Sequence, residues 1–413
     1  MMAAKTAIVI GAGIAGCSTA YALAQRGIEV TLLERNVDIA SEASGNPLAM
    51  LYPRLSGNDI ASEFALAAYL HSLQLYKSLK LPPADFDCCG MLQLGFNSKE
   101  LLRIQKVALQ NHASEIVQYV NKSTASKLAA INIDHDALYL PGAAWVNPQQ
   151  LCRRLSLHQN INVLTLQKAS KVLKTNDLFE VHTHQKMVLS AHIVVIANAN
   201  DARELCADLS INTQAVRGQV SLVSATAPSK ALQKIICSDG YFSPAAYQKN
   251  SEQLHCLGAT YANIAAAENA QSELIIEEQD HLANLEQLNN ISNMLHDNLK
   301  HHIAGGRVSL RCTAGDYWPL AGQLMDAKAL KTSPPRHSAD INSLPWVEGL
   351  YMNIAHGSKG FTTAPLCGEL IACMASKHAL PVSSELAGFL NPNRFLLKEM
   401  GLKRLAKMSM DFS

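Results

Sequence analysis

The sequence predicts a chain of two interleaved domains, one of the α/β class and one of the α+β class built on an antiparallel sheet. Three observations predict this fold. A complete strand–helix–strand unit fills the first 34 residues, an apolar strand at His192–Ala197 follows a hairpin-like alternation, and a strand, a glycine-rich turn and a helix follow near residues 350–376. Because the start, middle and end of the chain share this character, we expect one sheet to be assembled from all three segments.

The first element is a βαβ unit. It consists of an apolar strand at Thr6–Ile10, a helix of small residues that ends before Gly27, and a second strand at Val30–Leu33. The turn between the first strand and the helix reads G-x-G-x-x-G, and the second strand ends at the acidic residue Glu34. A strand before the motif, a helix after it and an acid about 20 residues further on form the context that makes this motif specific.

Each residue of that motif has a physical role in binding a dinucleotide. Gly11 permits the tight turn, Gly13 lets a pyrophosphate approach the backbone, and Gly16 lets the helix pack closely on the strand. The N-terminus of the helix presents free N–H groups and a partial positive charge to the phosphates. Glu34 stands where a carboxylate accepts hydrogen bonds from the ribose hydroxyls. We therefore predict a Rossmann-like dinucleotide-binding domain.

The segment after Glu34 argues against a nicotinamide dehydrogenase. Such an enzyme continues with alternating strands and helices to complete a six-stranded sheet. Here a loop, "ASEASGNPLAMLYPRLSG" at residues 40–57, precedes an amphipathic helix from about Ile60 to Leu79. Near the C-terminus the turn Gly357–Gly360 follows a strand and precedes a helix that we expect from about Thr363.

Composition excludes several other classes of protein. The chain has 35 Lys plus Arg against 34 Asp plus Glu, so no strong overall field favours nucleic acid or an anionic membrane, and any such partner must use a local patch. Ten cysteines without a C-x-x-C pair indicate reduced thiols and no metal site. The N-terminal residues do not resemble a signal peptide, and no apolar run reaches the roughly 20 residues that span a bilayer. We expect a cytoplasmic protein with no membrane partner.

At this point several motifs carry a family resemblance. The N-terminal βαβ unit, the middle strand and "HGSKGFTTAP" resemble the FAD-dependent amine oxidases of the D-amino-acid oxidase and glycine oxidase superfamily. More narrowly, "ASGNPLAMLYPRLS", "VRGQVS", "RCTAGDYWPLAG" and "HGSKGFTTAPLCGEL" resemble the FAD-containing oxidase half of the MnmC family, bacterial enzymes that modify the wobble uridine of certain tRNAs. The resemblance spans nearly the whole chain.

The resemblance implies FAD as the cofactor and assigns residues to it. The loop after Glu34 would run along the flavin, and the turn that opens the last helix would stabilise negative charge on the reduced ring. The implied FAD-binding residues are Gly11, Gly13, Ile14, Ala15, Gly16, Glu34, Arg35, Ser44, Gly45, Asn46, Leu51, Val172, Ala197, Gly322, His356, Gly357, Ser358, Lys359 and Gly360.

The resemblance also implies the residues that meet the substrate. Arg311 matches the carboxylate-binding arginine of the superfamily, and Tyr241 matches an aromatic hydroxyl that assists it, so both are implied to be catalytic and substrate-binding. Tyr52 would border the flavin ring and the substrate, or form only a rigid turn with Pro53. Tyr241 also fits a merely packed tyrosine. For Lys359 two interpretations stay open: it faces the substrate as a catalytic residue, or it solvates its turn.

The function implied is the FAD-dependent oxidation of the carboxymethylaminomethyl side chain of wobble (2-thio)uridine in tRNA. The step would release glyoxylate and leave 5-aminomethyl-2-thiouridine. Because the dinucleotide motif begins near residue 1, we expect this chain to perform only the oxidative step, and a separate methyltransferase that acts next is an implied partner. One alternative is a small-molecule oxidase of glycine or sarcosine type, which needs no RNA surface. Another is a tRNA-binding or assembly module in which FAD is structural.

The motifs also suggest domain boundaries. We expect an FAD-binding domain from residues 1–85, 146–215 and 306–385, a substrate domain from 86–145 and 216–305, and a basic helical extension at 386–413. Arg217 is expected to be structural, at the junction of the domains. Ala199 stands where many relatives have glycine, which leaves the local backbone path open.

Two further patterns concern packing and RNA binding. A helical stripe of leucine and isoleucine is expected to face the core of the substrate domain, and basic residues of the extension form a candidate tRNA contact or a merely solvated face. The stripe is Leu282, Leu285, Leu288, Ile291 and Leu295, and the basic residues are Arg394, Lys398, Lys403, Arg404 and Lys407.

Overall fold

The computed structural model describes residues 5–110, 112–263 and 274–410. The chain forms two compact units. Unit 1 comprises Met1–Gly45, Gln149–Ala215 and Arg311–Ser413, and unit 2 comprises Asn46–Pro148 and Val216–Leu310. The first change of unit therefore comes directly after Gly45, whereas residues 46–85 had been assigned to the FAD-binding domain from the sequence. The segment 386–413 belongs to unit 1.

The regular elements of the described residues are numbered in chain order. The strands are β1 (Thr6–Ile10), β2 (Glu29–Leu33), β3 (Ala49–Leu51), β4 (Phe86–Asp87), β5 (Met91–Leu94), β6 (Gln118–Val120), β7 (Ala137–Leu140), β8 (Ala144–Val146), β9 (Ile161–Leu164), β10 (Ala169–Thr175), β11 (Leu178–Thr183), β12 (Val188–Ala191), β13 (Ile193–Ile196), β14 (Thr213–Ser224), β15 (Ile235–Cys237), β16 (Tyr241–Phe242), β17 (Tyr247–Lys249), β18 (Glu252–Gly258), β19 (Ala262–Asn263), β20 (Ile303–Ala314), β21 (Leu320–Met325) and β22 (Trp346–Ile354). The helices are α1 (Ile14–Ala24), α2 (Ile60–Ser78), α3 (Ser98–Ala108), α4 (Lys122–Ala129), α5 (Pro148–Ser156), α6 (Ala202–Leu205), α7 (Glu278–Glu286), α8 (Asn293–Leu299), α9 (Ala327–Thr332), α10 (Gly360–Ser376), α11 (Ser384–Leu390) and α12 (Arg394–Glu399).

Unit 1 is built on a six-stranded sheet in the order β21-β22-β13-β1-β2-β9. Strand β1 pairs in parallel with β2 on one side and with β13 on the other, and β22 continues the parallel set, while β21 is antiparallel. Strands from the start, middle and end of the chain thus share one sheet, as the sequence predicts. The central strands are almost fully buried and apolar, as is typical of a parallel sheet covered on both faces.

Unit 2 contains a ten-stranded sheet and a small three-stranded sheet of β3, β8 and β4. The pairs of the larger sheet are antiparallel, apart from the parallel pair of β15 and β5. The Rossmann-like domain and the interleaved domain with a mainly antiparallel sheet confirm the predicted fold class. None of the helices among the described residues has both the length and the apolar character that crossing a bilayer requires.

The structure corrects the predicted helical stripe in unit 2. Leu285, Leu288, Ile291 and Leu295 are buried in its core, but Leu282 is 55% exposed. Helix α7 ends at Glu286, a 3-10 turn follows, and α8 starts at Asn293, so the five residues do not share one continuous helix. Leu282 and Leu285 both lie in α7, before the break, so Leu282 is on the outer face of that helix and Leu285 on its inner face.

The basic C-terminal segment is also different from the prediction. Only Arg394–Glu399 is α-helical, and Leu405–Lys407 is a 3-10 turn. The guanidinium of Arg394 is 2% exposed and is bound to Asp316, so this residue is not a surface contact for RNA. The apolar residues of the segment, Leu396, Leu397 and Leu402, are buried in a core of unit 1 together with residues of α9.

Candidate flavin-binding and active site

The glycine-rich turn between β1 and α1 depends on the absence of two side chains. Gly11 has φ +100°, and a Cβ there would lie 2.7 Å from the carbonyl oxygen of Ala197. A Cβ on Gly16 would lie 1.7 Å from the carbonyl oxygen of Gly11. The predicted roles of these glycines thus have steric causes, since both positions bring backbone against backbone. Ala197 follows β13 and donates its N–H to Ile10, which places it at this turn.

The first turn of α1 presents amides that suit a phosphate. The N–H of Ile14 donates to Ser44 Oγ over 3.0 Å, whereas the amides of Ala15 and Gly16 have no acceptor among the described residues. Gly13 is the N-cap of α1, and a Cβ on Gly13 would lie 3.0 Å from Ser44 Oγ. Two free amides at the positive end of a helix form a cradle for an anion.

Glu34 is held at the edge of this cradle by three hydrogen bonds. Its carboxylate accepts from the N–H of Ala12 at 3.0 Å, from the N–H of Asn36 at 2.8 Å and from the Asn36 side chain at 2.9 Å. The residue is 7% exposed, and burial raises the pKa of its carboxyl group. The bonds fix the direction of the carboxylate, and its contact with a ribose stays a prediction.

Other predicted residues surround the same turn. Arg35 forms ion pairs with Glu42 and Asp201, so its charge is compensated within unit 1. Ala199 adopts φ +52°, the left-handed conformation that glycine favours. The backbone conformation here is therefore one that suits the glycine of many relatives, although this chain has alanine. Next to it, the amide oxygen of Asn198 is buried without a partner among the described residues.

The C-terminal turn lies between β22 and α10 and is anchored by a buried polar network. The ring of His356 joins Thr363 Oγ1 through Nδ1 and Asn353 Oδ1 through Nε2, each at 2.9 Å. The amide group of Asn353 donates to Thr19 Oγ1 at 2.9 Å, so its oxygen faces the histidine, which must carry its proton on Nε2. Burial lowers the pKa of His356 to about 3. A neutral imidazole therefore connects the C-terminal turn to helix α1.

The end of strand β20 reaches this turn. Thr313 forms an isolated antiparallel β-bridge with His356. Its Oγ1 lies 3.3 Å from the position that a Cβ on Gly357 would occupy. Gly357 has φ +58°, and Gly357–Lys359 forms a 3-10 turn that leads directly into α10 at Gly360, three residues before the predicted start. The hydroxyl of Thr313 is buried without a partner among the described residues. Such an atom beside a glycine turn suits a polar ligand.

Arg311 lies two residues before Thr313 on the same strand. Side chains two residues apart in a strand point to the same face, about 6 to 7 Å from each other along it. Arg311 is therefore on the strand face that carries Thr313, two positions before the residue that pairs with His356. Its role as a carboxylate-binding residue stays a prediction.

In unit 2 the structure brings Tyr52 and Tyr241 together. Tyr241 on β16 stands opposite Cys237 on β15, and Cys237 Sγ lies 3.9 Å from the hydroxyl of Tyr52. Charge on Cys237 and burial raise the pKa of Tyr52, while the nearby cation Arg54 opposes the rise. Arg54 is bound to Glu100 at 2.8 Å. The turn-forming stretch at 52–54 therefore carries a hydroxyl and a cation into one cluster.

The remaining predicted FAD-binding residues lie outside the two glycine-containing turns. Val172 is in β10, packed on the core of unit 1, and Gly322 in β21 has Pro392 3.3 Å from its missing Cβ, which gives it a packing role. Asn46 accepts a hydrogen bond from Arg307 at 3.0 Å in unit 2. Leu51 is fully buried, and its contact with FAD stays a prediction. Gly45 ends the short 3-10 segment that starts at Ala43.

Sequence reasoning missed several residues of this site. Asn353, Thr363 and Thr313 were not singled out, although Thr363 lies in the quoted "HGSKGFTTAP" and Thr313 in "RCTAGDYWPLAG". A polar residue within an apolar strand, as in "LYMNIA", is a signal that could have marked Asn353. For Arg217, the structure gives ion pairs with Glu277 and Asp280 of unit 2, in agreement with a structural role.

Comparison with known families gives one match across most of the chain. The family model described as "FAD dependent oxidoreductase" (DAO) matches residues 6–374. Among individual relatives, the "tRNA 5-methylaminomethyl-2-thiouridine biosynthesis bifunctional protein MnmC" of Methylobacillus flagellatus is 39% identical over 98% of this chain and 61% of its own length. The protein of the same description from Pseudomonas syringae pv. syringae is 36% identical over 95% of this chain and 59% of its own length. The chain thus spans about three fifths of these relatives.

Solved structures share the fold at much lower identity. Glycine oxidase from Geobacillus kaustophilus has a TM-score of 0.73 and 19% identity, covering 93% of this chain and 98% of its own. L-proline dehydrogenase from P. horikoshii has a TM-score of 0.74 and 18% identity, covering 96% of this chain and 98% of its own. At this identity the likeness concerns the fold alone.

Proposed function

The chain belongs to the DAO family of FAD-dependent oxidoreductases, and from this premise we propose that it oxidises the carboxymethylaminomethyl side chain of wobble (2-thio)uridine in tRNA. The observation that carries the proposal is the 39% identity with an MnmC protein over 98% of this chain, against 19% for glycine oxidase. The proposed products are glyoxylate and 5-aminomethyl-2-thiouridine. A separate methyltransferase would act on this product next. We also propose a cytoplasmic location, because the proposed substrate is a tRNA.

The residues present fit FAD at both ends. We assign the pyrophosphate to the amides of Ala15 and Gly16, and the ribose to Glu34. The flavin end is assigned to the turn at His356–Gly360, where Thr313 has an uncommitted buried hydroxyl. When bound, FAD supplies the acceptor for the hydride that leaves the carbon beside the substrate amine.

The substrate has a glycine-like fragment attached to the nucleoside, and its carboxylate needs a partner. Arg311 suits this role because a guanidinium donates two parallel hydrogen bonds to a carboxylate and fixes its orientation. Orientation matters because the reacting carbon must lie about 3 to 3.5 Å from its acceptor. Tyr241 and Tyr52 stay predicted substrate-binding residues, as the resemblance implies, and we assign to Lys359 a positive charge at the turn.

The proposal is tested by anaerobic reduction of the holoenzyme, followed by the loss of the flavin's visible absorbance. The substrates are tRNA with the carboxymethylaminomethyl group, free glycine and free sarcosine. Bleaching by the tRNA with release of glyoxylate is the expected result. Bleaching by the free amines alone would identify a small-molecule oxidase, and no bleaching by any of them would leave FAD with a structural role.

Arg311 is the next target in the same assay. Arg311→Ala is expected to keep FAD bound and to lower kcat/KM with the tRNA by a factor of about 100 or more, because two charge-assisted hydrogen bonds are lost. Arg311→Lys keeps the charge without the planar guanidinium, so its kcat/KM should lie between those of the wild type and Arg311→Ala. Unchanged turnover in Arg311→Ala would remove the carboxylate-binding role.

A further inference from the structure

The turn between β20 and β21 presents one aromatic side chain to solvent. Tyr317 is 70% exposed and has φ +62°, in the left-handed region that costs a residue with a side chain roughly 1 to 2 kcal/mol. Its N–H closes the turn on the carbonyl of Ala314 at 2.9 Å. A glycine would adopt this conformation without strain, and an exposed ring recovers little by packing, so stability does not explain a tyrosine here.

The two neighbours of Tyr317 are held firmly by the C-terminal segment. Asp316 receives two hydrogen bonds from the guanidinium of Arg394, at 2.9 and 2.7 Å. The same guanidinium donates to the carbonyls of Trp318, Pro319 and Asn391, so all five of its N–H groups are used. The ring of Trp318 stacks on Phe389, with centroids 5.0 Å apart. The turn is therefore rigid while the ring of Tyr317 points outward.

The turn is close to the proposed flavin end of unit 1. Thr313 pairs with His356 through a β-bridge and precedes Tyr317 by four residues. Four residues of chain span at most about 14 Å. Successive bases of a stacked strand are about 3.4 Å apart. A nucleotide that reacts at the C-terminal turn would therefore have neighbours within reach of the ring.

The charges around the ring suit RNA. Asp316 is compensated by Arg394 and also lies 3.7 Å from the ammonium of Lys398, so this trio has a net charge of +1. Exposed Lys403 and Lys407 follow on the same segment. An exposed ring with cations beside it is the combination by which proteins bind unpaired bases and their phosphates.

We propose that Tyr317 stacks on an unpaired nucleobase that flanks the reacting uridine of the RNA substrate, and that Arg394 positions it for this contact. The proposal rests on the tRNA substrate of the proposed function. It adds a residue that recognises the RNA beyond the reacting side chain. Free glycine-type amines have no such base, so their oxidation should not depend on Tyr317.

The test measures binding of the holoenzyme to an anticodon stem-loop RNA with 2-aminopurine on either side of the wobble uridine. We expect Tyr317→Ala to weaken binding between about 5-fold and about 150-fold. Stacking also quenches 2-aminopurine fluorescence in the wild-type complex, and the variant should lose this quenching. The salt dependence of binding should stay the same, because no phosphate contact is removed.

Three further variants make the result specific. Tyr317→Phe keeps the ring and should bind like the wild type, whereas Tyr317→Leu keeps an apolar side chain without the ring and should bind like Tyr317→Ala. Leu157→Ala, at a position of similar exposure (73%) in unit 1, should have no effect. Tyr317→Gly relieves the backbone, so a folded and stable protein with weak RNA binding is expected.

The outcomes separate the two proposals. Equal RNA binding by wild type and Tyr317→Ala would overturn the stacking contact and leave the tRNA function intact. Binding by Tyr317→Leu at the wild-type level would overturn stacking in favour of a merely apolar contact. Wild-type protein that binds no RNA and oxidises free amines would overturn both.

Discussion

At the scale of single residues, backbone conformation and buried rings decide how the cofactor turns are built. Ala199 and Gly11 both have positive φ beside the β1–α1 turn, yet only one of them is glycine. The neutral ring of His356 connects Asn353 and Thr363, and thereby β22 and α10. Both features lead to stability predictions.

Ala199→Gly should stabilise the protein by about 0.5 to 1 kcal/mol. The substitution removes the left-handed strain at φ +52°, and this gain exceeds the greater entropy of glycine in the unfolded chain. Ala202→Gly, three residues later at φ −56° in the right-handed region, is the matched control and should destabilise by about 1 kcal/mol. Urea unfolding of both variants measures the difference, and a loss of stability in Ala199→Gly would contradict the strain.

His356 should make the protein less stable in mild acid. Its folded pKa of about 3 lies below the unfolded value of about 6.5, so the unfolded chain binds more protons between these values. Stability is therefore present above about pH 6.5 and is lost as pH falls. Between pH 7 and pH 5 the loss from one such histidine is about 2 kcal/mol.

Denaturant unfolding at the two pH values checks this expectation. His356→Gln should reduce the fall in stability by about 2 kcal/mol. Burial also lowers the pKa of His255 in unit 2 to about 4, so part of the fall should persist in this variant. His184→Gln, at an exposed position, is the control that should not alter it. An unchanged fall in His356→Gln would show that this ring titrates as in water.

At the scale of elements, the C-terminal segment is a structural clamp. Asn393 accepts from the N–H of Met325 at 2.9 Å and donates to the carbonyl of Gln323 at 2.9 Å, so the segment is bound to strand β21. Arg394 fixes the β20–β21 turn beside it. A segment that looks like a basic surface helix in the sequence therefore completes the core of unit 1.

Arg394→Ala should destabilise the protein by about 3 kcal/mol. Removal of one partner leaves the carboxylate of Asp316 and three carbonyls without their donor, and the partial exposure of Asp316 keeps the effect near the lower end for a buried pair. Arg404→Ala removes the same charge from an exposed position and should change stability by less than about 1 kcal/mol. Thermal and urea unfolding compare the two, and equal effects would refute the clamp.

At the scale of the whole molecule, a net charge of +1 leaves RNA binding to local patches. With Arg394 buried, Lys398, Lys403 and Lys407 are the exposed lysines that the basic segment retains. Arg404 donates to the carbonyl of His337 and so contributes its charge from a fixed position. Contact of this segment with tRNA stays a prediction.

The variant Lys403→Gln with Lys407→Gln should bind tRNA more weakly and with a smaller dependence on salt. If both lysines contact phosphates, the slope of log K against log salt should become less negative by about 1.4 to 1.8. Lys171→Gln with Lys249→Gln removes the same charge from exposed positions elsewhere and should leave the slope unchanged. An unchanged slope in the first variant would move the RNA surface to another part of the protein.

The sequence by itself determined the nucleotide-binding half of the fold. The G-x-G-x-x-G turn, the strand before it and Glu34 are local in the chain, and steric and hydrogen-bonding rules specify their arrangement with little help from distant residues. The family resemblance extended this to the C-terminal turn at His356–Gly360. The same rules place α2 within one residue of its predicted end.

Only the tertiary structure decided the roles of residues whose partners are far away in the chain. Arg394 and Asp316 are separated by 78 positions, and Cys237 and Tyr52 by 185, so no local pattern indicates either contact. The charge of an arginine predicts solvent exposure on average, and only a specific carboxylate and carbonyls at the right distance make its burial favourable. The exposed ring of Tyr317 follows from the same clamp, because a fixed turn determines which of its side chains points outward.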